Sequence, residues 1–574
     1  TNKHIKMAET LLSPGVLARE NDSSQVSQGP VTVGAAIIGP AVKGPVEIPT
    51  TVTSYSQYKS IFGGAVESGS DSYNYLTGVS VYNYFQNGGE SVLVTRVTSG
   101  SFSSAESTPV TNFNTSSSFT LETLSEGNIM NNSGSESKGA LTLGTSDNVR
   151  WEIASVNTSS GQFSLLVRRG NDNNRDKTIL ETWTNLSLDP KAPNYIEAVI
   201  GNSKKVVMTD GGINYIQNQG SFRNKSSFVR VKSVTTKTPD YFDNNGTAKI
   251  AYTASLPIVG SGSFTSALGG LFNTASAANF YKNVSTADIQ GLTAGDYATA
   301  VSLMANKDEY VYNSISVPGV TSQNGASVVS SVANNSVNRG DNISIIDLVN
   351  YAANVGTVTN QAAAFDSSYA TTYWPWCQTI DPETGKQVWV PASVMIPGVY
   401  AYTDASADAW FAPAGLTRGA LGTVIRAERK LPSSTRDTLY EANVNPIATF
   451  PNSGVVVFGQ KTLQKRASAL DRVNVRRLLI AVKSYVSQIA DTLVFEQNSM
   501  STRNNFLTQV NPYLESVQQR QGLYAFKTVM DESNNGPDVV DRNQLVGQIF
   551  LQPTKTAEFV LLDFNVTPTG ATFE

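Results

Sequence analysis

Apolar residues change their spacing several times along the chain, and each spacing predicts a different element. Val31 to Gly39 (VTVGAAIIG) is a near-continuous apolar run closed by Gly-Pro, the pattern of a buried strand. Ser54 to Phe62 predicts a short helix capped by Ser54, and Tyr73 to Phe85 a second one. The Asn87-Gly88-Gly89 turn then leads into a strand over Ser91 to Val97. From about Ser99 to Ile258 short alternating runs such as Ser118–Leu121, Arg150–Ile153 and Gln162–Val167 lie between Ser/Thr/Asn/Gly spacers, which predicts an inserted all-β domain. Within it, Asn194 to Ile200 reads as a helix. Gly260 to Gly291 reads as loop with weak helix, Tyr310 to Val317 as a strand, Ser344 to Tyr351 as a helix or its approach, and Ala370 to Trp376 as a strand.

The strongest helical signal runs from Asp471 to Glu496. Val475, Leu478, Leu479, Val482, Tyr485, Val486, Ile489 and Leu493 recur at helical spacing, while Arg472, Arg476 and Lys483 fall together on another face. Such a helix can bury one side and offer the basic side to a partner. Glu558 to Val566 is rich in β-formers and ends at Thr567-Pro568-Thr569-Gly570. It is either a core strand or a strand lent to a neighbouring subunit. Leu11 to Gln28 is polar, has no helical stripe, and reads as an extended arm.

Composition narrows the chemistry. The 574 residues exceed one compact core, so several domains are expected. A net charge of -4 with 15% charged residues argues against a general nucleic-acid binder. One Cys (Cys377) and one His (His4) exclude an internal disulfide, His/Cys zinc sites and imidazole-dependent nucleophiles. No apolar run is long enough to span a bilayer, and no apolar stretch before Pro14 indicates a secretory signal. Gly39 to Gly44 lacks the Gly-Lys-Ser/Thr ending of a phosphate loop. Asp172–Asp176 lacks the Gly and distal Glu of a calcium loop and reads as a solvated hairpin tip. Trp374, Trp376, Trp389 and Trp410 read as core residues, Cys377 as a small buried one, and Asp381 and Glu383 as parts of a turn.

Blocks at both ends of the chain resemble the tail sheath family of contractile phage tails and related injection systems. They include Ser13-Pro14-Gly15-Val16, Gly39-Pro40-Ala41-Val42-Lys43-Gly44-Pro45, Tyr84-Phe85-Gln86-Asn87-Gly88-Gly89 and Val94-Thr95-Arg96-Val97. Later come Tyr373-Trp374-Pro375-Trp376, Pro397-Gly398-Val399-Tyr400, Arg472-Val473-Asn474-Val475-Arg476-Arg477, Asp541-Arg542-Asn543 and Ile549-Phe550-Leu551-Gln552-Pro553.

The resemblance implies an α/β (α+β) multidomain fold, in which the N- and C-terminal halves form one inner core carrying an inserted β-rich outer domain and extended arms. The expected layout is an arm over 1–28, core over 29–98, the β-rich domain over 99–258, a second α/β region over 259–400, a C-terminal core domain with the long helix over 401–555, and a strand or arm over 556–574.

It further implies a structural, non-catalytic subunit without cofactors, polymerised as a helical sheath around an inner tail tube and contracting to drive the tube through a cell envelope. Its expected partners are identical copies, the tube protein, and baseplate and tail terminator or neck proteins, with neither nucleic-acid contact nor membrane insertion. Its expected place is the virion tail, assembled in the bacterial host cytoplasm. Arg472, Arg476 and Lys483 are the expected tube contact, and Val16, Leu17, Val26, Phe559, Leu561 and Phe564 the expected strand-exchange residues. Two other classes stay open on the sequence: a β-rich glycan-binding adhesin, and a carboxylate-only hydrolase.

Overall fold

The computed structural model describes residues 33–68, 71–269 and 289–558. Its centre is an eight-stranded sheet in the order Thr50–Val52, Val92–Arg96, Val33–Gly39, Tyr312–Thr321, Ile343–Asp347, Ala370–Trp374, Asn445–Phe450 and Gly454–Val457. The inner strands run parallel, and the two edge strands are antiparallel to their neighbours. Parallel neighbours need crossovers, which the helices Ala326–Arg339, Val355–Ala362 and Ala392–Ser406 supply. Helices on the sheet explain why Val92–Arg96, Ile343–Asp347 and Ala370–Trp374 are buried at every position and read as unbroken runs.

Two of the early elements form as expected. Ser54 caps the Tyr55–Phe62 helix by accepting from the Gln57 amide at 3.1 Å, and Leu76–Gln86 is helical. Ser344–Tyr351 differs. Its first part is the strand Ile343–Asp347, parallel to both neighbours, because β-branched Ile343, Ile345 and Ile346 fill cores on both sheet faces.

Val33–Gly39 pairs with Val92–Arg96 on one side and Tyr312–Thr321 on the other, so distant parts of the chain build one core. The segment between them leaves as a β-rich insertion with its own core of Phe119, Leu121, Trp151, Phe163, Leu165 and Phe264. Its first strand, Ser104–Ser107, pairs with its last, Phe264–Thr265, so entry and exit lie side by side. The insertion therefore runs past residue 258, where it was expected to stop.

Arg96 holds the junction. It is 1% exposed and donates to the carbonyls of Ala41 (3.0 Å), Gly44 (2.6 Å) and Glu126 (2.7 Å). The last of these lies on the insertion's strand Ser117–Glu126. A second expected boundary, at 400/401, falls inside the unbroken helix Ala392–Ser406.

That helix is tied to the sheet by Asp347, whose carboxylate accepts from the Ser393 amide at 3.1 Å and from the Ser393 hydroxyl. Burial pushes the Asp347 carboxyl up to about 7, against the two Ser393 bonds that favour the anion. A pKa raised on folding gives a contribution that is complete below about pH 4 and lost as pH climbs through about 7. Asp347→Asn, which preserves the shape, should flatten the fall in stability between about pH 4 and 8. Denaturant unfolding at several pH values checks this, and parallel profiles for the two proteins would refute it.

Candidate assembly interface

The long helix spans Val473–Asp491, shorter at each end than the pattern predicts. Val473 and Ile480 enter the core beneath the sheet, together with Val394, Met395 and Val457. Leu478, Val482, Ile489 and Leu493 pack instead with Phe506, Val510, Leu514 and Val517 of the next helix, Met500–Gln519. At about 100° per residue the first pair and the second group lie roughly half a turn apart, so the helix is greasy on two sides. One apolar stripe, as the sequence reading has it, is half of the picture.

The basic residues occupy the flanks of the sheet-side face, and most are not free. Arg476 is 4% exposed, bonded to the Ser368 hydroxyl, with its guanidinium 3.9 Å over the Tyr369 ring. Burial lowers its pKa. Arg477 is 6% exposed, reaches both oxygens of Asp404 at 2.6 Å, and lies 4.6 Å over Tyr400. Arg472 sits at the N-cap and clasps Glu558, with Nε–Oε1 at 2.7 Å and Nη2–Oε2 at 3.0 Å. Tyr440 and Gln460 donate to the same carboxylate at 2.8 and 3.2 Å.

An open basic face through Arg472, Arg476 and Lys483 is thus corrected, because Arg476 is consumed by packing and Arg472 by an ion pair. A buried guanidinium needs partners for its donors, and Ser368 with the Tyr369 ring, and Asp404 with the Tyr400 ring, supply part of them, leaving Arg476 Nε and Arg477 Nη1 without a hydrogen bond. Lys483 alone of the three is exposed, its ammonium 3.2 Å from the Tyr369 hydroxyl.

Val16, Leu17, Val26, Phe559, Leu561 and Phe564 lie outside the described residues. What the structure adds is a hairpin that sequence reading passed over. Leu523–Val529 pairs antiparallel with Gln548–Pro553 as a sheet of two strands, and among the described residues no third strand joins either outer edge. Leu523, Ile549 and Leu551 turn toward the helical core, while Tyr524 and Phe550 are 61% and 57% exposed. The alternation in Leu523-Tyr524-Ala525-Phe526-Lys527-Thr528-Val529 after Gly522 carried that signal. Likewise Ser499 followed by Phe506, Val510, Leu514 and Val517 marks the helix Met500–Gln519.

The remaining candidates are structural. Trp374, Trp376, Trp410 and Cys377 are buried, and burial pushes the thiol up to about 12. Trp389 is half-buried against the core that holds Trp374 and Trp376. Asp381 accepts from Asn74 at 2.9 Å and Glu383 from Tyr55 at 2.9 Å, joining this turn to the N-terminal helices. Asp172 is not solvated as expected. It is 5% exposed and accepts from Arg168 through both oxygens at 2.8 Å, whereas Asn173 to Asp176 are exposed. Among the described residues no group of three or more His, Cys, Asp and Glu is placed to hold a metal, and no helix is long and apolar enough to cross a membrane.

Removing Arg477 should cost about 2 kcal/mol of stability, a value below that of a fully buried pair because Asp404 is 37% exposed on its side chain. Lys483→Ala should stay within about 0.5 kcal/mol of wild type. Thermal or urea unfolding of the two variants measures both, and equal effects would contradict this division of the helix into a bound and a free part.

Comparison with known proteins agrees with this geometry. Residues 290–463 match the phage tail sheath protein central domain, and residues 466–567 match the phage tail sheath C-terminal domain. The tail sheath protein of Vibrio phage KVP40 is 33% identical over 280 residues, 48% of this chain and 41% of that one. The tail sheath protein of Enterobacteria phage T4 is 33% identical over 228 residues, 40% of this chain and 35% of that one. The chain thus spans less than half the length of these relatives.

Among solved structures, a sheath tail protein from Listeria innocua aligns with a TM-score of 0.53 at 10% identity, over 91% of this chain and 96% of that one. The anti-feeding prophage helical sheath in its contracted state aligns with a TM-score of 0.51 at 15% identity, over 97% and 99%. These two share the fold. The second half of the chain is therefore similar to phage tail sheath proteins through two consecutive sheath domains, at 290–463 and 466–567.

Proposed function

We propose that this chain is the structural subunit of a contractile tail sheath, polymerising as a helical tube around an inner tail tube and contracting to drive that tube through the target envelope. The observation that carries the reading is the hairpin Leu523–Val529/Gln548–Pro553, whose outer edges have no strand partner among the described residues. Unpaired edges are normally blunted or covered, and an edge left open beside a packed core is a place for another chain to add a strand. The arms around Val16, Leu17 and Val26 and around Phe559, Leu561 and Phe564 are the proposed donors.

Strand addition suits a machine that must change length without falling apart. Main-chain bonds are directional and numerous, so they persist while the rigid cores rotate about the arms. Several such links per subunit make simultaneous loss improbable. The role needs no catalysis or cofactor. The extended sheath would store its energy as a trapped state, released when the baseplate lowers the barrier.

On this reading the tube is touched by Lys483, exposed as a salt-screened contact that can let go, while Arg472 and Arg476 hold the helix behind it. Baseplate and tail terminator or neck proteins bound the polymer at its ends. The virion tail is its place, after assembly in the host cytoplasm.

Electron microscopy of the purified chain should show striated cylinders. Deleting 559–574 should abolish them while leaving the circular-dichroism spectrum of the folded chain. Cylinders of normal length from the truncated chain would contradict the proposal.

A further inference from the structure

Two exposed features near the long helix complement each other and serve no purpose inside one copy. The first is the tip that joins the long helix to the next. There Val494 is 59%, Phe495 102% and Met500 65% exposed. Phe495 has φ 72, a conformation that bulky L residues avoid, so the chain accepts local strain while holding an aromatic ring in solvent. Glu496 beside it is also exposed and makes no ion pair among the described residues.

The second is a groove of about 430 Å³, lined by Arg418, Arg436, Asp437, Tyr440, Phe458 and Glu558. Phe458 is 43% exposed, and the Arg436 guanidinium lies 5.6 Å over its ring and 5.4 Å over that of Phe450. Arg418 lies 5.2 Å over Phe411. Among the described residues neither arginine has a carboxylate partner, since Glu558 is taken by Arg472. The groove is therefore aromatic, with the two arginines outweighing the carboxylate of Asp437 by one positive charge, and the tip is aromatic and anionic.

Their positions decide how they can meet. The Arg472–Glu558 pair fixes the groove at the N-terminal end of the Val473–Asp491 helix, and the tip follows its C-terminal end. The helix of 19 residues separates them by roughly 28 Å at 1.5 Å per residue. A copy cannot fill its own groove.

We propose that the Val494–Met500 tip of one copy seats in the Phe458/Arg436 groove of a second copy, with the Phe495 ring against Phe458 and Glu496 facing Arg436 and Arg418. The contact is head-to-tail: each copy offers a tip and a groove on different surfaces, so the series continues and does not close as a dimer. An aromatic anchor in a lined pocket with a charge-assisted pair at its rim is the arrangement that concentrates binding energy in few residues. The groove also borders Thr556 to Glu558, where the C-terminal arm begins, so a seated tip would lie beside the exchanged strand. This inference rests on the sheath reading for its setting, and the test separates the two.

A chain carrying both Phe495→Cys and Phe458→Cys should, under mild oxidation at tube-forming concentration, give a ladder of covalent oligomers on non-reducing gels. Neither single variant should pass beyond a dimer. Cys377 is buried and does not compete. Tubes without a ladder would overturn the contact and leave the sheath reading standing. A ladder from a chain whose wild type forms no tubes would uphold the contact and sink the sheath reading. Absence of both would overturn both. In a second arm, Glu496→Arg should raise the concentration needed for assembly at least tenfold, and adding Arg436→Glu should restore it. Failure of the reversal to restore assembly would count against the pairing.

Discussion

The Val473–Asp491 helix is shared by two cores. Val473 and Ile480 pack under the parallel sheet, and Leu478, Val482, Ile489 and Leu493 pack against the following helix half a turn away. Arg477 to Asp404, Arg476 on Tyr369 and Arg472 to Glu558 pin its flanks and its N-terminus. A rod buried on two sides cannot slide relative to either neighbour without opening apolar surface in both. The sheet and the C-terminal unit therefore move as one body.

The joints then lie elsewhere. The β-rich insertion is attached through adjacent entry and exit strands, with Arg96 bonding carbonyls on both sides of the junction. Such an attachment lets the insertion vary in size and sequence without touching the sheet register. At the other extreme, the Leu523–Val529/Gln548–Pro553 hairpin packs one face on the helical core, and among the described residues no third strand joins its edges. A stiff body with unfilled edges is the form expected of a subunit whose stable neighbours are other molecules. The two sheath domains matched in the second half fit that description.

How much of this the sequence disclosed depends on the kind of interaction. Buried parallel strands such as Val33–Gly39 and Val92–Arg96 were legible because burial on both faces leaves an unbroken apolar run. The Ser54 cap was legible because capping is local. Ile343–Asp347 was misread because a short apolar run has no length from which to judge its period. The fate of Arg476 and Arg477 was hidden for a different reason. Helical spacing places them on a face, but Ser368, Tyr369, Tyr400 and Asp404, which bury them, come from distant parts of the chain. Glu558, distant in sequence from Arg472, was invisible for the same reason. The hairpin was overlooked because its first strand, Leu523–Val529, is half-exposed and its alternation modest.

The most direct test of a rigid body joined through open edges is amide hydrogen exchange, compared between free subunits and assembled tubes. The account predicts that the sheet strands Val92–Arg96 and Ile343–Asp347 are equally protected in both states, while amides of Leu523–Val529 and Gln548–Pro553 that exchange quickly in the free chain slow at least tenfold in tubes. Unchanged exchange along that hairpin, with protection gained within the central sheet instead, would contradict it.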